Sequence, residues 1–202
     1  MWDERYATDE YRFGTNPNRF LINCAAGLKP GRLLSLGEGE GRNAVYMASL
    51  GFEVTAVDQS AVGLAKAQRL AAERGVPLTT VTADLNDYVI QRGAWDVIMN
   101  FFCHMPRPER LPLHRRVVEG LKPGGAYILE IFRPGQLRLA TGGPRTRDLV
   151  LSLADARAEL AGLQFEIARS LLRHEEDDDP STKLLAIIQV LAIKPDSPTN
   201  SR

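Results

Sequence analysis

The chain has 202 residues, with 25 lysines and arginines balanced by 25 aspartates and glutamates and 44% hydrophobic residues. That is the size of one soluble domain, in which about 70% of the unfolded chain's surface can be buried without a disulfide or metal staple. Charge balance argues against nucleic-acid and anionic-membrane partners, which need a basic excess or block. No apolar run approaches the ~20 residues of a bilayer span, and the opening MWDERYATDEYRFG lacks a signal-peptide core, so a cytoplasmic protein is expected. Two cysteines, Cys24 and Cys103, suit a reducing compartment.

In chain order, residues 1–19 form an aromatic and polar arm carrying Trp2, Tyr6, Tyr11 and Phe13 without strand alternation. The main domain is expected over 20–195, opening with a helix in which Phe20, Leu21, Cys24 and Leu28 fall at helical spacing before Pro30–Gly31. RLLSL then reads as a strand, GEGEGRN as a glycine turn and NAVYMASLGF as a helix. The alternation continues: EVTAVD a strand, AVGLAKAQRLAAERG a helix, LTTVTAD and WDVIMNFF strands, RPERLPLHRRVVEGL helical toward its end, and AYILEIF a fifth strand. Such alternation predicts βαβ units and a mainly parallel sheet with right-handed crossovers. After a last helix in SLADARAELAG, FEIARSLLRH and KLLAIIQVLAIKP read as a hairpin at the sheet edge, joined through the acidic EEDDDPST. Residues 196–202 form a polar tail expected to fray.

Gly37, Gly39 and Gly41 alternate directly after the first strand. Without a Cβ, such a turn admits positive φ and lets a ligand lie against amides at a helix N-terminus. A Walker loop would end in Gly-Lys-Ser/Thr, which Arg42 and Asn43 do not supply, and Arg42 also stands where a dinucleotide fingerprint has its third glycine. Asp58 closes the second strand, where its carboxylate can accept from ribose hydroxyls, with Gln59 beside it. Asp84 and Leu85 follow the third strand, an acceptor for an adenine amino group next to an apolar side chain. Three strand ends thus offer ligand groups on one sheet edge.

These residues resemble the class I S-adenosylmethionine (SAM) dependent methyltransferases over nearly the whole chain. LGEGEGRNAVYMASLGFEVTAVDQS, with WDERY and FGTNPNRFL before it, looks like the tellurite-resistance and thiopurine methyltransferase-like branch. The resemblance implies an α/β, Rossmann-like three-layer sandwich around a seven-stranded, mostly parallel sheet with an antiparallel last strand. It also implies SAM over Gly37–Gly41, its ribose on Asp58, its adenine near Asp84 and Leu85, and S-adenosylhomocysteine as product. Most members carry an acid two places before the first glycine, where this chain has Ser35. Glu38 is expected to supply the missing carboxylate and to face the methionyl ammonium.

The acceptor side is expected after the fourth and fifth strands. Asn100 and Phe101 sit where the superfamily contacts the cofactor. His104 can take a proton, and Arg133 can pair with an anionic acceptor. Arg138, Arg145 and Arg147 add a local basic excess in a long loop, while Cys103 is not expected to act as a nucleophile. The arm either closes over the cofactor or fills a groove on the helical layer. The acceptor is read as a small soluble sulfur, oxygen, nitrogen or metalloid nucleophile, with an anionic one suited to the arginines of the long loop. Neither metal nor nucleic acid nor membrane is expected, and the chain is read as a monomer or weak homodimer. Two rivals stand beside this reading: an NAD-linked oxidoreductase, disfavoured by Arg42, and a non-catalytic SAM or nucleotide sensor, for which the chain leaves no appended effector domain.

Overall fold

A computed structural model of the chain describes residues 2–139, 141–175 and 181–196. The elements are α1 (Trp2–Tyr6), α2 (Arg19–Ala25), β1 (Arg32–Leu36), α3 (Arg42–Ser49), β2 (Glu53–Asp58), α4 (Ala61–Glu73), β3 (Thr79–Thr82) and β4 (Trp95–Phe101). They continue with α5 (Arg107–Gly120), β5 (Leu121–Phe132), α6 (Leu153–Glu159), β6 (Gln164–His174) and β7 (Leu184–Ile193), with short 3₁₀ turns at Pro134–Arg138 and Arg147–Leu149. Residues 176–179 of the acidic run and 197–202 of the tail lie outside the described residues.

One seven-stranded sheet runs in the order β3-β2-β1-β4-β5-β7-β6. The first five strands pair in parallel, and β7 lies antiparallel between β5 and β6. The predicted hairpin therefore exists, with its second strand inserted beside β5 and its first at the edge. Alternate residues of the central strands divide between two cores. Leu33, Val54, Ala56, Val97, Met99, Ala126 and Ile128 meet α2, α3 and the start of α4 on one face. Leu34, Leu36, Val57, Ile98, Tyr127, Leu129 and Ile131 meet α5 and α6 on the other. This makes a three-layer, Rossmann-like α/β sandwich around a mostly parallel sheet.

Two local readings change. The arm contains a helical turn, α1, too short to stand on propensity and held by what it touches. Helix α5 begins at Arg107 and not only toward the end of its segment, despite Pro108 and Pro112. Pro108 lies in the first turn, where no intrahelical N–H partner exists, and Pro112 forfeits only the bond to that turn's Pro108 carbonyl. The strand order reverses between the parallel neighbours β1 and β4, with β2 and β3 added on one side and β5 on the other, so a cleft is expected outside their C-terminal ends.

Candidate active site

The glycine turn leaves β1 with positive φ at all three glycines: 66° at Gly37, 65° at Gly39 and 94° at Gly41. Close approach adds to the requirement. A Cβ on Gly37 would lie 2.5 Å from Cys103 Sγ, and one on Gly39 would lie 2.6 Å from Tyr6 Oη. The end of β1 is thus pressed between the start of the segment after β4 and the arm. The Gly37 and Glu38 amides donate to Val57 O at 2.8 and 3.2 Å. Gly39 N–H donates to Asp58 Oδ2 at 2.8 Å, and Ser60 N–H to Asp58 Oδ1 at 2.8 Å. Burial raises the Asp58 pKa against the opposing pull of those amides.

Glu38 Oε1 accepts from Asn43 N–H at 3.1 Å and Ala44 N–H at 2.9 Å, while Oε2 accepts from the Ser35 hydroxyl. The carboxylate fills the N-terminal cap of α3, for which Gly41 has no side chain. Ser35 and Glu38 therefore form one unit, and the carboxylate expected to face a methionyl ammonium is engaged with the helix amides. Burial pushes its pKa up.

Arg42 donates to Phe13 O at 3.2 Å, and burial lowers its pKa. Asn43 Oδ1 accepts from Asn18 N–H at 2.9 Å, so this side chain holds the arm's end. Gln59 and Asp84 are exposed and Leu85 is buried beside them; Asp84 Oδ1 accepts from Asn86 N–H at 2.8 Å. The edge assembled from Gly37–Gly41, Asp58, Asp84 and Leu85 is the one that the sequence placed there.

The arm lies over this edge. The Trp2 and Tyr6 rings stack at 5.4 Å, and Tyr6 is 6% exposed. Asp3 Oδ1 accepts from Ser60 Oγ and from Val62 N–H at 3.3 Å, at the start of α4. Farther along, Lys66 forms a buried ion pair with Glu40 and donates to the Thr8 and Glu10 carbonyls at 3.0 and 2.6 Å. Glu40 Oε2 also accepts from Arg12 N–H at 2.8 Å. The Tyr6 hydroxyl has no hydrogen-bond partner among the described residues, and burial together with Asp58, Glu40 and Glu38 keeps it protonated.

Across the cleft, Asn100 is buried and its Oδ1 accepts from Cys103 N–H at 3.3 Å, turning the chain after β4. Phe101 packs partly against the α2 and α3 core. Phe102 follows at φ 57°, the one non-glycine residue with positive φ among those described. Burial pushes the Cys103 thiol up to about 12, which removes its nucleophilic form at neutral pH.

His104 stacks on Phe132 at 5.3 Å, with Phe102 against Phe132 at 4.9 Å. Its Nδ1 lies 3.1 Å from Leu149 O. A carbonyl only accepts, so Nδ1 carries the proton and the neutral ring presents Nε2 as an acceptor. Burial lowers the His104 pKa to about 4. Arg133 turns instead toward Gly135, and its buried Nε has no hydrogen-bond partner among the described residues. Arg138 and Arg145 are exposed, and Arg147 pairs with Asp155 at 3.3 Å.

Sequence reasoning passed over Glu40, Lys66 and Asn18, and placed Glu130 at the end of the fifth strand, as a residue that could line the acceptor pocket, without its partners. The fully buried Glu130 accepts from Asn18 Nδ2 at 2.8 Å and pairs with Arg173 at 2.5 Å. A buried lysine in an otherwise apolar helical stripe was the available signal for Lys66; partners 112 and 43 residues away left none for Glu130. Among the described residues no group of three His, Cys, Asp or Glu could hold a metal, and no helix is long and apolar enough to cross a membrane.

Residues 33–125 match the family model described as a methyltransferase domain. The chain is similar to a cypemycin N-terminal methyltransferase of a Streptomyces species, 30% identical over 163 residues that cover 74% of this chain and 65% of the relative. TehB of Haemophilus influenzae, whose curated name is a probable SAM-dependent methyltransferase, is 26% identical over 54% of this chain and 38% of its own length. Its crystal structure superposes with a TM-score of 0.73 at 18% identity, over 96% of this chain and 65% of the other. The [4+2]-cyclase SpnF superposes with a TM-score of 0.68 at 17% identity over 88% of this chain and 79% of that one, so the same fold carries other chemistry. The chain spans from a third to just under two thirds of the length of such curated relatives. The chain thus shares the fold of the superposed structures, with a methyltransferase domain matched over residues 33–125.

Proposed function

We propose that the chain is a SAM-dependent methyltransferase acting by direct in-line displacement on a small soluble acceptor, within the tellurite-resistance-like branch. The observation that carries this is the edge at the β1/β4 switch point. There, a glycine turn with positive φ at Gly37, Gly39 and Gly41 lies beside a carboxylate, Asp58, fixed by two backbone amides. These residues fit the cofactor: Asp58 would hold the ribose hydroxyls, Leu85 would pack on adenine, and the Tyr6 hydroxyl offers unspent hydrogen-bonding capacity over the turn.

SAM supplies a methyl group already activated on a sulfonium. The protein then chiefly aligns and encloses. The arm, pinned through Asp3 to Ser60 and through the Thr8 and Glu10 carbonyls to Lys66, excludes water from the edge it covers. His104 and its aromatic neighbours line the acceptor side.

Binding of S-adenosylhomocysteine tests the reading. At about 100-fold its Kd it should add about 2.7 kcal/mol of stability, or roughly 5–10 °C in Tm for a chain of this size. Asp58→Ala should weaken binding at least ~30-fold by removing the acceptor for two amides and the ribose. Protection by NAD but not by S-adenosylhomocysteine would reject the proposal.

A further inference from the structure

The orientation of His104 depends on a buried ion pair one layer behind it. Arg110 on α5 makes a fork with Glu159 on α6, Nε to Oε2 at 2.9 Å and Nη2 to Oε1 at 3.0 Å. Its remaining Nη1 donates to two carbonyls, Met105 O at 3.0 Å and Asp148 O at 3.1 Å. Met105 follows His104 in the chain, and Asp148 precedes Leu149, whose carbonyl receives the His104 Nδ1 proton. One guanidinium nitrogen thus grips the neighbours of both partners in the bond that orients the imidazole. His114 Nδ1 lies 2.9 Å from Glu159 Oε2, so the carboxylate is fixed from a second side. Arg110, His114 and Glu159 are all buried, and their partners hold Glu159 down at about 2. Such a fork is rigid and specific in a way that a lysine's point charge is not.

On the methyltransferase reading above, we propose that Arg110 and Glu159 are positioning residues that fix His104 with Nε2 toward the acceptor. The methylated group is then a hydroxyl or amine whose proton leaves to that nitrogen. The imidazole, stacked on Phe132 and beside the Phe102 ring, lies in aromatic surroundings that suit a neutral donor, and Arg133 turns away toward Gly135. In the transfer, a lone pair of the acceptor oxygen or nitrogen forms the bond to the methyl carbon. The methyl–sulfur bond breaks with its electrons passing to sulfur, giving the neutral thioether, and the acceptor proton passes to Nε2 and from there to solvent. A thiolate, which arrives without its proton, would gain nothing from this nitrogen.

Long-range ¹H–¹⁵N spectra of the imidazoles, recorded at pH 7 with and without S-adenosylhomocysteine, test the positioning directly. In the unaltered protein His104 should show a protonated Nδ1 and a bare Nε2. Arg110→Lys and Glu159→Gln should shift it to a mixture of tautomers while S-adenosylhomocysteine affinity stays within about twofold. A protonated Nε2 in the unaltered protein overturns the proposal without any variant needing to fold. So does an unchanged tautomer in a folded Arg110→Lys.

The acceptor class is tested by S-adenosylhomocysteine release with 4-methylphenol, 4-methylaniline and 4-methylbenzenethiol. The phenol or the aniline should turn over, with kcat falling ~100-fold in His104→Asn and ~10-fold in Arg110→Lys at unchanged KM for SAM. Turnover of the thiol alone, or of none of the three, overturns the class. Failure of the unaltered protein to bind S-adenosylhomocysteine would instead reject the underlying methyltransferase reading, and the tautomer spectra remain readable without it.

Discussion

The two walls of the cleft are built on opposite plans. On the wall formed by the glycine turn and the arm, the polar groups largely meet one another: Gly37 and Glu38 with Val57, Gly39 and Ser60 with Asp58, Asn43 and Ala44 with Glu38, Lys66 with Glu40. On the wall formed after β4 and β5, His104 spends only Nδ1, on Leu149 O, and its Nε2 has no hydrogen-bond partner among the described residues, while Phe102 holds a positive φ of 57°. A site for one invariant cofactor can be preassembled to the last amide. A site for the variable partner must keep bonding capacity in reserve, which costs stability and appears as buried groups with nothing to bind.

The largest effect expected from this contrast is on stability. Glu40→Ala leaves Lys66 buried without its counter-charge, a loss on the order of 3 kcal/mol because the Thr8 and Glu10 carbonyls still solvate the ammonium. Calorimetry should show Tm lower by roughly 6–12 °C. Limited proteolysis should cut within residues 2–12 sooner than in the unaltered protein. Arg138→Ala, on the exposed acceptor loop, should stay within about 0.5 kcal/mol. Equal losses in the two variants would dissolve the contrast.

A smaller effect separates the walls by pH. His104 titrates near 4 in the folded chain against a usual value near 6.5, because burial disfavours its charged form. Between those values the unfolded chain binds the extra proton, so stability is full above about pH 6.5 and falls as pH drops toward 4, by roughly 2–3 kcal/mol. Glu159, held near 2, contributes in a lower window: its share is present above its usual value of 4.5 and is lost as pH falls toward 2. Denaturant unfolding across pH 7 to 4 should flatten in His104→Asn. An unchanged slope would mean that the ring is solvated and that the acceptor wall is not dry.

The same contrast explains what the sequence disclosed. Gly37, Gly39, Gly41 and Asp58 are legible because each answers a local demand: a positive φ after a strand, or a carboxylate at the next strand end. Strand alternation and the apolar faces gave the sheet for the same reason, since a period is visible in a short window. His104 and Arg133 could be placed at an edge but not oriented. His104 is aimed by Leu149, 45 residues away, and Arg133 faces Gly135 although its position suggested the cleft. Glu38 shows the limit from the other direction. Its place in the turn was evident, but its partners were decided by the missing side chain at Gly41, which left the α3 amides for it to cap.

The smallest effect tests whether the saturated wall has one deliberate gap. The Tyr6 ring is buried against Gly39 and Gly63, yet its hydroxyl bonds to nothing described, beside three carboxylates that prevent its ionisation. If that hydroxyl serves only the fold, Tyr6→Phe removes a buried polar group without a partner and should leave Tm unchanged or slightly higher, with ligand affinity unaltered. If it is held for the cofactor, Tm still does not fall, but affinity for S-adenosylhomocysteine drops about 3–10-fold, the worth of one hydrogen bond of roughly 0.5–1.5 kcal/mol. Calorimetric titration of the two proteins side by side distinguishes these outcomes, because the ring and its packing are common to both. A weaker complex at constant stability would put the arm inside the binding site and not merely over it, and would make the wall that looks complete the one that awaits its last partner.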